Sequence, residues 1–307
     1  MPLIEAPRSP IVPQLQGLHL FHYDGAPCAQ RVRFALGEKG LGRGREVRFD
    51  DTSPESMAGE EGRWVSRVVS LVKKDHMTAA YARIHPDMVV PALVDDGRLY
   101  LESMDIIEYL DQKFGAPLLI PGQEDVRVAT MVLVDKAKVL HLSLRYVTFH
   151  WGLGRLAMLN GKERESLRGL ANQGADGENL VSFYDAFSQR TIPENVFETH
   201  LLNLHGAFQS LDAQMSDGRS YLMGDDLTIA DVFWSMKVLR LIETGYPFAT
   251  RHPELYGWYG RVSARPAFQH EVMGKNRMNN RLFRAKAGIE NTFGVGLSQA
   301  LDKVLAA

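Results

Sequence analysis

The sequence predicts two domains of different class, an α/β domain followed by an all-helical domain. Strand-like and helical patterns alternate between residues 17 and 116. From residue 124 onward the strand-like patterns nearly vanish, and long helical patterns replace them. A stretch rich in proline and glycine, residues 117–122, separates the two regions and predicts a linker. The length of 307 residues also favours two domains over one.

The composition is that of an ordinary globular protein, with 45% hydrophobic and 23% charged residues. A formal net charge of −2 gives no electrostatic reason to expect nucleic acid or a membrane as a partner. The single cysteine, Cys28, cannot form an internal disulfide, which fits a reducing cytoplasm. Residues 1–16 lack the pattern of a secretory signal, and no apolar run approaches the roughly 18 residues of a membrane span. We therefore expect a cytoplasmic protein whose proline-rich residues 1–16 form an extended arm.

The first domain reads in order as strand, helix, strand, helix and hairpin, with a closing helix. Residues 18–22 predict the first strand, and Pro27 begins the first helix. Residues 45–50 predict the second strand because apolar and polar residues alternate there. Residues 51–73 are predicted to be an insertion at the surface, with a short helical pattern over residues 60–72.

The end of the first domain is a hairpin followed by a helix. Residues 89–94 and 99–101 predict two strands joined by a tight turn that contains Gly97. Ser103 is expected to cap the closing helix, which ends at Gly115.

The second domain is predicted to cover residues 123–280, and residues 281–307 are expected to form a C-terminal extension that is weakly amphipathic after Asn291. Its first helix should be long and should end or kink near Gly152. The predicted helices cover residues 126–153, 194–215, 228–243, 253–262 and 267–276.

Two dipeptides of the first domain carry candidate binding chemistry. Pro91, after Val90, removes a donor from a strand, which indicates either an edge strand or a special peptide bond. Eleven residues later, Glu102 and Ser103 stand where a helix begins. The N–H and hydroxyl of Ser103, with the helix dipole, can hold a carboxylate, and Glu102 can pair with an ammonium group. A capping serine beside a solvated glutamate is the alternative interpretation.

These motifs and their order resemble those of the glutathione transferases, in which a thioredoxin-like domain precedes a helical one. The resemblance covers roughly residues 17–275 and includes "MVVPALVDDGRLYLES", "LTIADVFWSMKVLRL" and "HPELYGWYGRVSARPAF". In the second stretch, Thr228 and Asp231 form a capping box that the family carries in its helical domain. His85 departs from the family's usual asparagine, and Val89 from a common glutamine.

The resemblance implies that glutathione is the cofactor and assigns its ligands. The backbone of Val90, before a cis Pro91, would pair with the cysteinyl part of glutathione. Glu102 and Ser103 would bind the γ-glutamyl group. His76 would help to hold the glycyl carboxylate, although a histidine at the surface explains this position equally well.

The catalytic group is expected in "APCAQRVR", residues 26–33. Many members of the family carry the catalytic serine where this chain has Ala26, which cannot donate a hydrogen bond. Cys28 stands where glutathione-dependent reductive dehalogenases and isomerases carry a cysteine, and a helix N-terminus favours a thiolate there. Tyr23 lies near the sequence position at which the tyrosine-class members of the family carry their catalytic hydroxyl. Backbone N–H groups acting alone, and a merely buried Cys28, are the alternatives.

Tyr146, Phe149 and His150, followed by Trp151, predict an aromatic pocket wall for the second substrate. Trp234 is expected in the core. The histidines and acids show no clustered metal spacing, so we expect no metal site.

The resemblance implies a glutathione transferase whose thiolate attacks an electrophilic aromatic small molecule, as in β-etherase-like cleavage of an aryl ether. A reductive dehalogenase or isomerase that uses Cys28 is the first alternative, and a non-catalytic binding module is the second. Family members commonly dimerise, so we expect a homodimer, with a heterodimer of related chains as the alternative.

Overall fold

The computed structural model describes residues 3–154, 158–171 and 177–306. Contacts divide the chain into two compact units. The first unit contains the chain up to Pro117 together with Met158–Thr191. The second contains the chain from Leu118 up to this segment and everything from Ile192 onward.

The two halves of the chain differ in secondary structure as the sequence predicts. Up to residue 117 the elements are β1 (Leu3–Ile4), β2 (Leu18–His22), α1 (Pro27–Glu38), β3 (Gly42–Arg48), α2 (Pro54–Met57), β4 (Arg63–Val68), α3 (Ala79–Ala82), β5 (Ala92–Asp95), β6 (Arg98–Leu101) and α4 (Ser103–Phe114). The later elements are α5 (Glu124–Val147), α6 (Gly161–Ala171), α7 (Gly177–Gln189), α8 (Glu194–Met215), α9 (Ile229–Thr244), α10 (Phe248–Arg251), α11 (Pro253–Ser263), α12 (Arg277–Thr292) and α13 (Leu297–Ala306).

The six strands form one mixed sheet in the order β1-β6-β5-β2-β4-β3. Strand β4 runs parallel to both β2 and β3, whereas β5 is antiparallel to β2 and to β6. The core on this sheet includes Phe21, Val90, Ala92 and Val94. The expected hairpin is therefore present, and β5 lies inside the sheet.

The predicted surface insertion over residues 51–73 is wrong, because strand β4 lies inside it and occupies an interior position of the sheet. Residues 64–67 are fully buried, so neither face shows the alternation of a half-exposed strand. The Arg67 side chain donates to the backbone carbonyls of Phe49, Asp51 and Ser56 at 3.2, 2.9 and 2.6 Å. In the sequence, an arginine is ordinarily taken to face solvent. With Arg67 assigned to an exposed side, residues 60–72 resembled an amphipathic helix.

The proline-rich arm is only partly extended. Strand β1 pairs with β6, with Leu3 opposite Tyr100. Residues 12–14 then form one turn of 3-10 helix that begins beside a proline, and Val12 and Leu15 are buried in the core of the first unit. The arm is thus an integral part of that unit.

Helices α6 and α7 pack with the first unit, whereas the sequence places them in the helical domain. Residues of these helices and of the segment after β4 form one buried cluster, which contains Met77, Ala82, Met88, Leu159 and Leu167, with Val181 and Tyr184 packed against it. An ion pair between Lys74 and Glu163 joins the same two segments. The chain therefore returns to the first unit after α5.

The second unit is built around α9, most of which is buried. Trp234 is fully buried and donates to the carbonyl of Leu133 at 3.0 Å, which confirms it as a core residue. Helix α5 ends at Val147 and continues into a wider turn in which Gly152 leaves the helical region, close to the expected kink. No helix among the residues with described positions has the length and apolar character to cross a membrane.

The predicted capping box of α9 is confirmed. Asp231 Oδ2 accepts from the N–H and hydroxyl of Thr228 at 2.8 and 3.0 Å. Its Oδ1 accepts from the N–H of Leu222 at 2.9 Å and from the indole of Trp258 at 2.7 Å. One buried carboxylate thus holds together the start of α9, the loop before it and α11.

Candidate functional site

The sheet register brings three of the predicted site segments to one edge. Phe21 lies opposite Ala92, and Ala92 lies opposite Leu101. Because β5 is antiparallel to both neighbours, the residues after β2 and β6 meet the residues before β5. The turn that carries Tyr23 and Cys28, the Val90-Pro91 pair and the Glu102-Ser103 pair therefore share this edge, which we call the site edge.

The Val90–Pro91 peptide bond is cis, and Val90 is buried. The hydroxyl of Tyr81 donates to the carbonyl of Val89 at 2.7 Å and so fixes the backbone just before Val90. Tyr81 is fully buried, and burial raises the pKa of its phenol. Tyr81 is therefore a neutral donor that positions this loop, a role that no motif in the sequence indicated.

Helix α4 starts one residue earlier than expected, because Glu102 and not Ser103 is its N-cap. Glu102 is the residue before the helix, and buried Ser103 is its first residue. Glu102 is exposed and has φ 60°, a conformation that residues other than glycine seldom adopt. Strained residues of this kind cluster at binding sites.

Arg31 is a buried cation at the site edge that the sequence analysis missed. Its Nη1 lies 3.4 Å from Ser103 Oγ and 3.6 Å from Cys28 Sγ and donates to both. Arg31 is 3% exposed, so its charge is shielded from solvent. The available signal was its position on α1, three residues after Cys28, where two helical side chains are neighbours.

Cys28 lies in the first turn of α1, is partly buried and forms no disulfide. Ala26 caps the helix without a side-chain hydrogen bond, and its own N–H donates to the carbonyl of Tyr23 at 3.1 Å. That N–H is therefore already used in a hydrogen bond within the turn. The N–H groups of Cys28 and Ala29 belong to the first turn, where helices leave donors without intrahelical partners.

A charged network fixes the turn that carries Tyr23. Fully buried Arg33 donates to the carbonyls of Tyr23 and Asp24 at 3.2 and 2.9 Å and to His22 Nδ1 at 3.2 Å. Asp24 also pairs with Arg43 at 2.8 Å. Burial alone would raise the pKa of Asp24, but Arg33 and Arg43 outweigh it and lower that pKa to about 2. Tyr23 itself is half-buried and packs against the core.

His76 is a buried residue and not a surface histidine. It lies in the short turn Asp75–Met77 after β4, and it is 7% exposed. Burial, with a contribution from Lys74, lowers the pKa of His76 to about 4. Its Nδ1 has no hydrogen-bond partner among the residues that the structure describes. A neutral imidazole of this kind could offer a carboxylate an N–H donor but no charge.

Two of the predicted pocket residues belong to an aromatic cluster in the second unit. His150 stacks on Phe197 with a ring separation of 4.0 Å, and Tyr146 lies 4.2 Å from the ring of His200. His150 Nε2 also pairs with Glu194 at 3.2 Å. Burial lowers the pKa of His150, although Glu194 opposes the shift. The partners in α8 lie too far along the chain for sequence spacing to reveal them.

Phe149 and Trp151 are half-buried, and Trp151 contacts this cluster edge-on at 4.4 Å from His150. Within the described parts of the chain, no group of three or more histidine, cysteine, aspartate or glutamate residues could hold a metal ion.

Comparison with models of protein families shows to which family the chain belongs. The model of the glutathione S-transferase N-terminal domain matches residues 20–118, and that of the C-terminal domain matches residues 180–266. The chain belongs to the glutathione transferase superfamily. This transferase is an enzyme that uses glutathione, so the interpretation as a non-catalytic module is not supported.

Two curated relatives show how far this transferase resembles known enzymes. It is 27% identical over 197 residues to glutathione S-transferase theta-1 of Mus musculus, covering 64% of this chain and 70% of that protein. It is 26% identical over 286 residues to a 2,5-dichlorohydroquinone reductive dechlorinase of Sphingobium indicum, covering 83% of this chain and 82% of that protein.

Among solved structures, this transferase resembles the β-etherase LigF from Sphingobium sp. strain SYK-6. The TM-score is 0.69 with 20% identity, and the match covers 85% of this chain and 100% of that chain. At this identity the likeness establishes the thioredoxin-like and helical fold alone.

Proposed function

We propose that this transferase binds glutathione at the site edge and that the glutathione thiolate attacks an electrophilic aromatic small molecule, forming a bond between the glutathione sulfur and the substrate and displacing a leaving group. The observation that carries the proposal is Arg31, a buried cation that contacts both Ser103 and Cys28. Its positive charge, beside the first turn of α4, favours an anion there, and glutathione supplies a carboxylate and a thiolate.

The γ-glutamyl carboxylate is proposed to bind at Ser103. The first N–H groups of α4 lie at the positive end of the helix dipole, which favours an anion. Arg31 adds a full positive charge beside the same hydroxyl. Exposed Glu102 would pair with the ammonium of the same γ-glutamyl group, and neutral His76 would donate to the glycyl carboxylate.

The glutathione thiol is proposed to lie at the first turn of α1, near Tyr23. A thiol must lose its proton to become a good nucleophile, and a hydrogen-bond donor with a helix N-terminus favours that loss. Ala26 has no hydroxyl and its N–H is engaged by Tyr23. The Tyr23 hydroxyl, assisted by the N–H groups of Cys28 and Ala29, is therefore the proposed stabiliser.

The acceptor is proposed to be an aryl compound such as an aryl ether. The cluster of Tyr146 and His150 is stacked and partly exposed, a surface that suits an aromatic ring. A second candidate is reductive dechlorination with Cys28 as a second thiol. It is supported by the likeness to the dechlorinase over most of both chains and by the contact of Arg31 with Cys28.

The transferase is further proposed to act in the cytoplasm as a homodimer through α5. Four apolar side chains, 49% to 77% exposed, lie within an arc of about 80° on this helix at 100° per residue. They are Val128, Val132, Val139 and Leu142. Light scattering of the purified protein and of Val139→Glu tests this, because the variant should become monomeric.

The function is tested by two measurements on the full chain. Calorimetry measures glutathione binding, and product analysis measures phenol release from a β-aryl ether and chloride release from a chlorohydroquinone. We expect binding and phenol release. Binding with neither product would contradict the proposed acceptor class, and absent binding would contradict the assignment of the site edge.

A further inference from the structure

Helix α12 belongs to the second unit; one side of it is buried, and the opposite side exposes large apolar side chains. Asn280 and Ala287 are buried. Four large apolar side chains of the helix and its C-cap are 59% to 78% exposed: Met278, Leu282, Ile289 and Phe293. At 100° per residue they lie within an arc of about 60° and form one stripe, which we call the α12 stripe. Val295, 69% exposed, continues it beyond the helix.

Cations flank the α12 stripe. Residues 275–289 contain five lysines and arginines and no acid. The helical positions of Arg277 and Arg281 lie on one side of the stripe and that of Lys286 on the other. Lys286 pairs with Glu290 at 2.7 Å, and Glu290 is the first acid to follow the segment. Outside this segment the chain has 30 basic and 37 acidic residues, a formal charge of −7.

We propose that the α12 stripe is a docking surface for an anionic lipid membrane surface. A helix that presents an apolar stripe between cations lies in the plane of a bilayer, with its apolar side chains at the acyl boundary and its cations at the phosphates. The net charge of −2 gave no reason to expect a membrane partner. That value is the sum of a basic segment, residues 275–289, and an acidic rest of the chain.

The charge pattern favours a lipid surface over a second copy of the chain. In a two-fold symmetric pair the same patch meets itself. Pairing through the α12 stripe would therefore bring two basic segments together, and their like charges oppose that contact. A membrane that carries anionic headgroups presents charge of the opposite sign.

The test is sedimentation of the full-length protein with phosphatidylcholine vesicles, with and without phosphatidylglycerol. We expect binding to the anionic vesicles at low salt, release at high salt and no binding to phosphatidylcholine alone. Leu282→Glu should reduce binding at least tenfold. Arg281→Glu should reduce it about fivefold or more, as expected for the loss of one surface cation. Val72→Glu, at an exposed valine outside α12, is the matched control and should bind like the wild type.

Three results would overturn the proposal. They are no binding of the wild type to anionic vesicles, unchanged binding of Leu282→Glu, and self-association without vesicles that Leu282→Glu abolishes in analytical ultracentrifugation. The last would identify the stripe as an interface between copies. Because Leu282 is exposed, we expect Leu282→Glu to fold, and circular dichroism melting checks this.

Discussion

The guanidinium of Arg31 lies 3.4 Å from the hydroxyl of Ser103, and this hydrogen bond joins α1 to the first residue of α4. The buried charge of Arg31 and the positive end of the α4 dipole therefore act on the same place. Both favour an anion there, which is the electrostatic basis of the proposed glutathione site.

Removing the charge of Arg31 should weaken glutathione binding. A hydrogen bond to a charged group contributes about 1.5–3 kcal/mol, so Arg31→Met should raise the Kd for glutathione roughly 10- to 100-fold. Arg31→Lys keeps the charge and should recover part of the loss. Calorimetry measures both, and Arg83→Met, at an exposed arginine, serves as the control. An unchanged Kd in Arg31→Met would remove Arg31 from the site.

The catalytic roles of Cys28 and Tyr23 can be distinguished by substitutions that change a single heavy atom of each side chain. We expect Cys28→Ser to keep aryl-ether cleavage within about threefold and Tyr23→Phe to slow it about 10- to 100-fold, because of the two side chains only that of Tyr23 is proposed to hold the thiolate. Turnover under saturating glutathione measures this. Tyr23→Phe should also raise the pKa of the bound glutathione thiol, followed by thiolate absorbance. The opposite ranking would make Cys28 the catalytic group.

Buried histidines should make the fold sensitive to mild acid. Burial lowers the pKa of His85 to about 4, and the same holds for His19, His76 and His252. Between about pH 6.5 and pH 4 the unfolded chain binds a proton at each position that the folded chain refuses, so stability falls as the pH falls. The slope is about 1.4 kcal/mol per pH unit for each histidine.

His85→Asn, which introduces the asparagine expected from the family pattern, should reduce that slope by the contribution of one histidine. Urea unfolding at several pH values between 7 and 5 measures it. A slope equal to that of the wild type would show that His85 is protonated in the folded chain.

The buried carboxylate of Asp231 should dominate the stability of the second unit. Asp231→Asn replaces one of two accepting oxygens by an N–H donor and leaves buried donors of Leu222, Thr228 or Trp258 without partners. The expected cost is about 3 kcal/mol in the free energy of unfolding. Urea unfolding compares it with Asp226→Asn, an exposed neighbour that should be neutral. Equal stability of the two variants would contradict this role.

Local signals predicted the elements that depend on neighbouring residues. The capping box of α9, the tight turn before β6 and the proline that starts α1 each need only a few adjacent residues. The cis bond between Val90 and Pro91 and the helix start at Glu102 and Ser103 are local features of the same kind.

Features that depend on residues far apart in the chain could not be predicted from the sequence. Strand β4 is recognisable only once its neighbours β2 and β3 cover both edges and carbonyls accept from Arg67. Arg31 gains a role from Ser103, which lies 72 residues away. The stacking of His150 on Phe197 likewise joins two separate helical regions.

The return of the chain to the first unit after α5 has a consequence for how this protein can be divided. The polypeptide passes between the units three times, after Pro117, before Met158 and after Thr191. A single cut at residue 117 would separate the sheet from the α6–α7 hairpin that covers Met77 and Met88. Neither fragment from such a cut would be an autonomous folding unit, and exchange of one half with a related transferase should succeed only when the hairpin travels with the sheet.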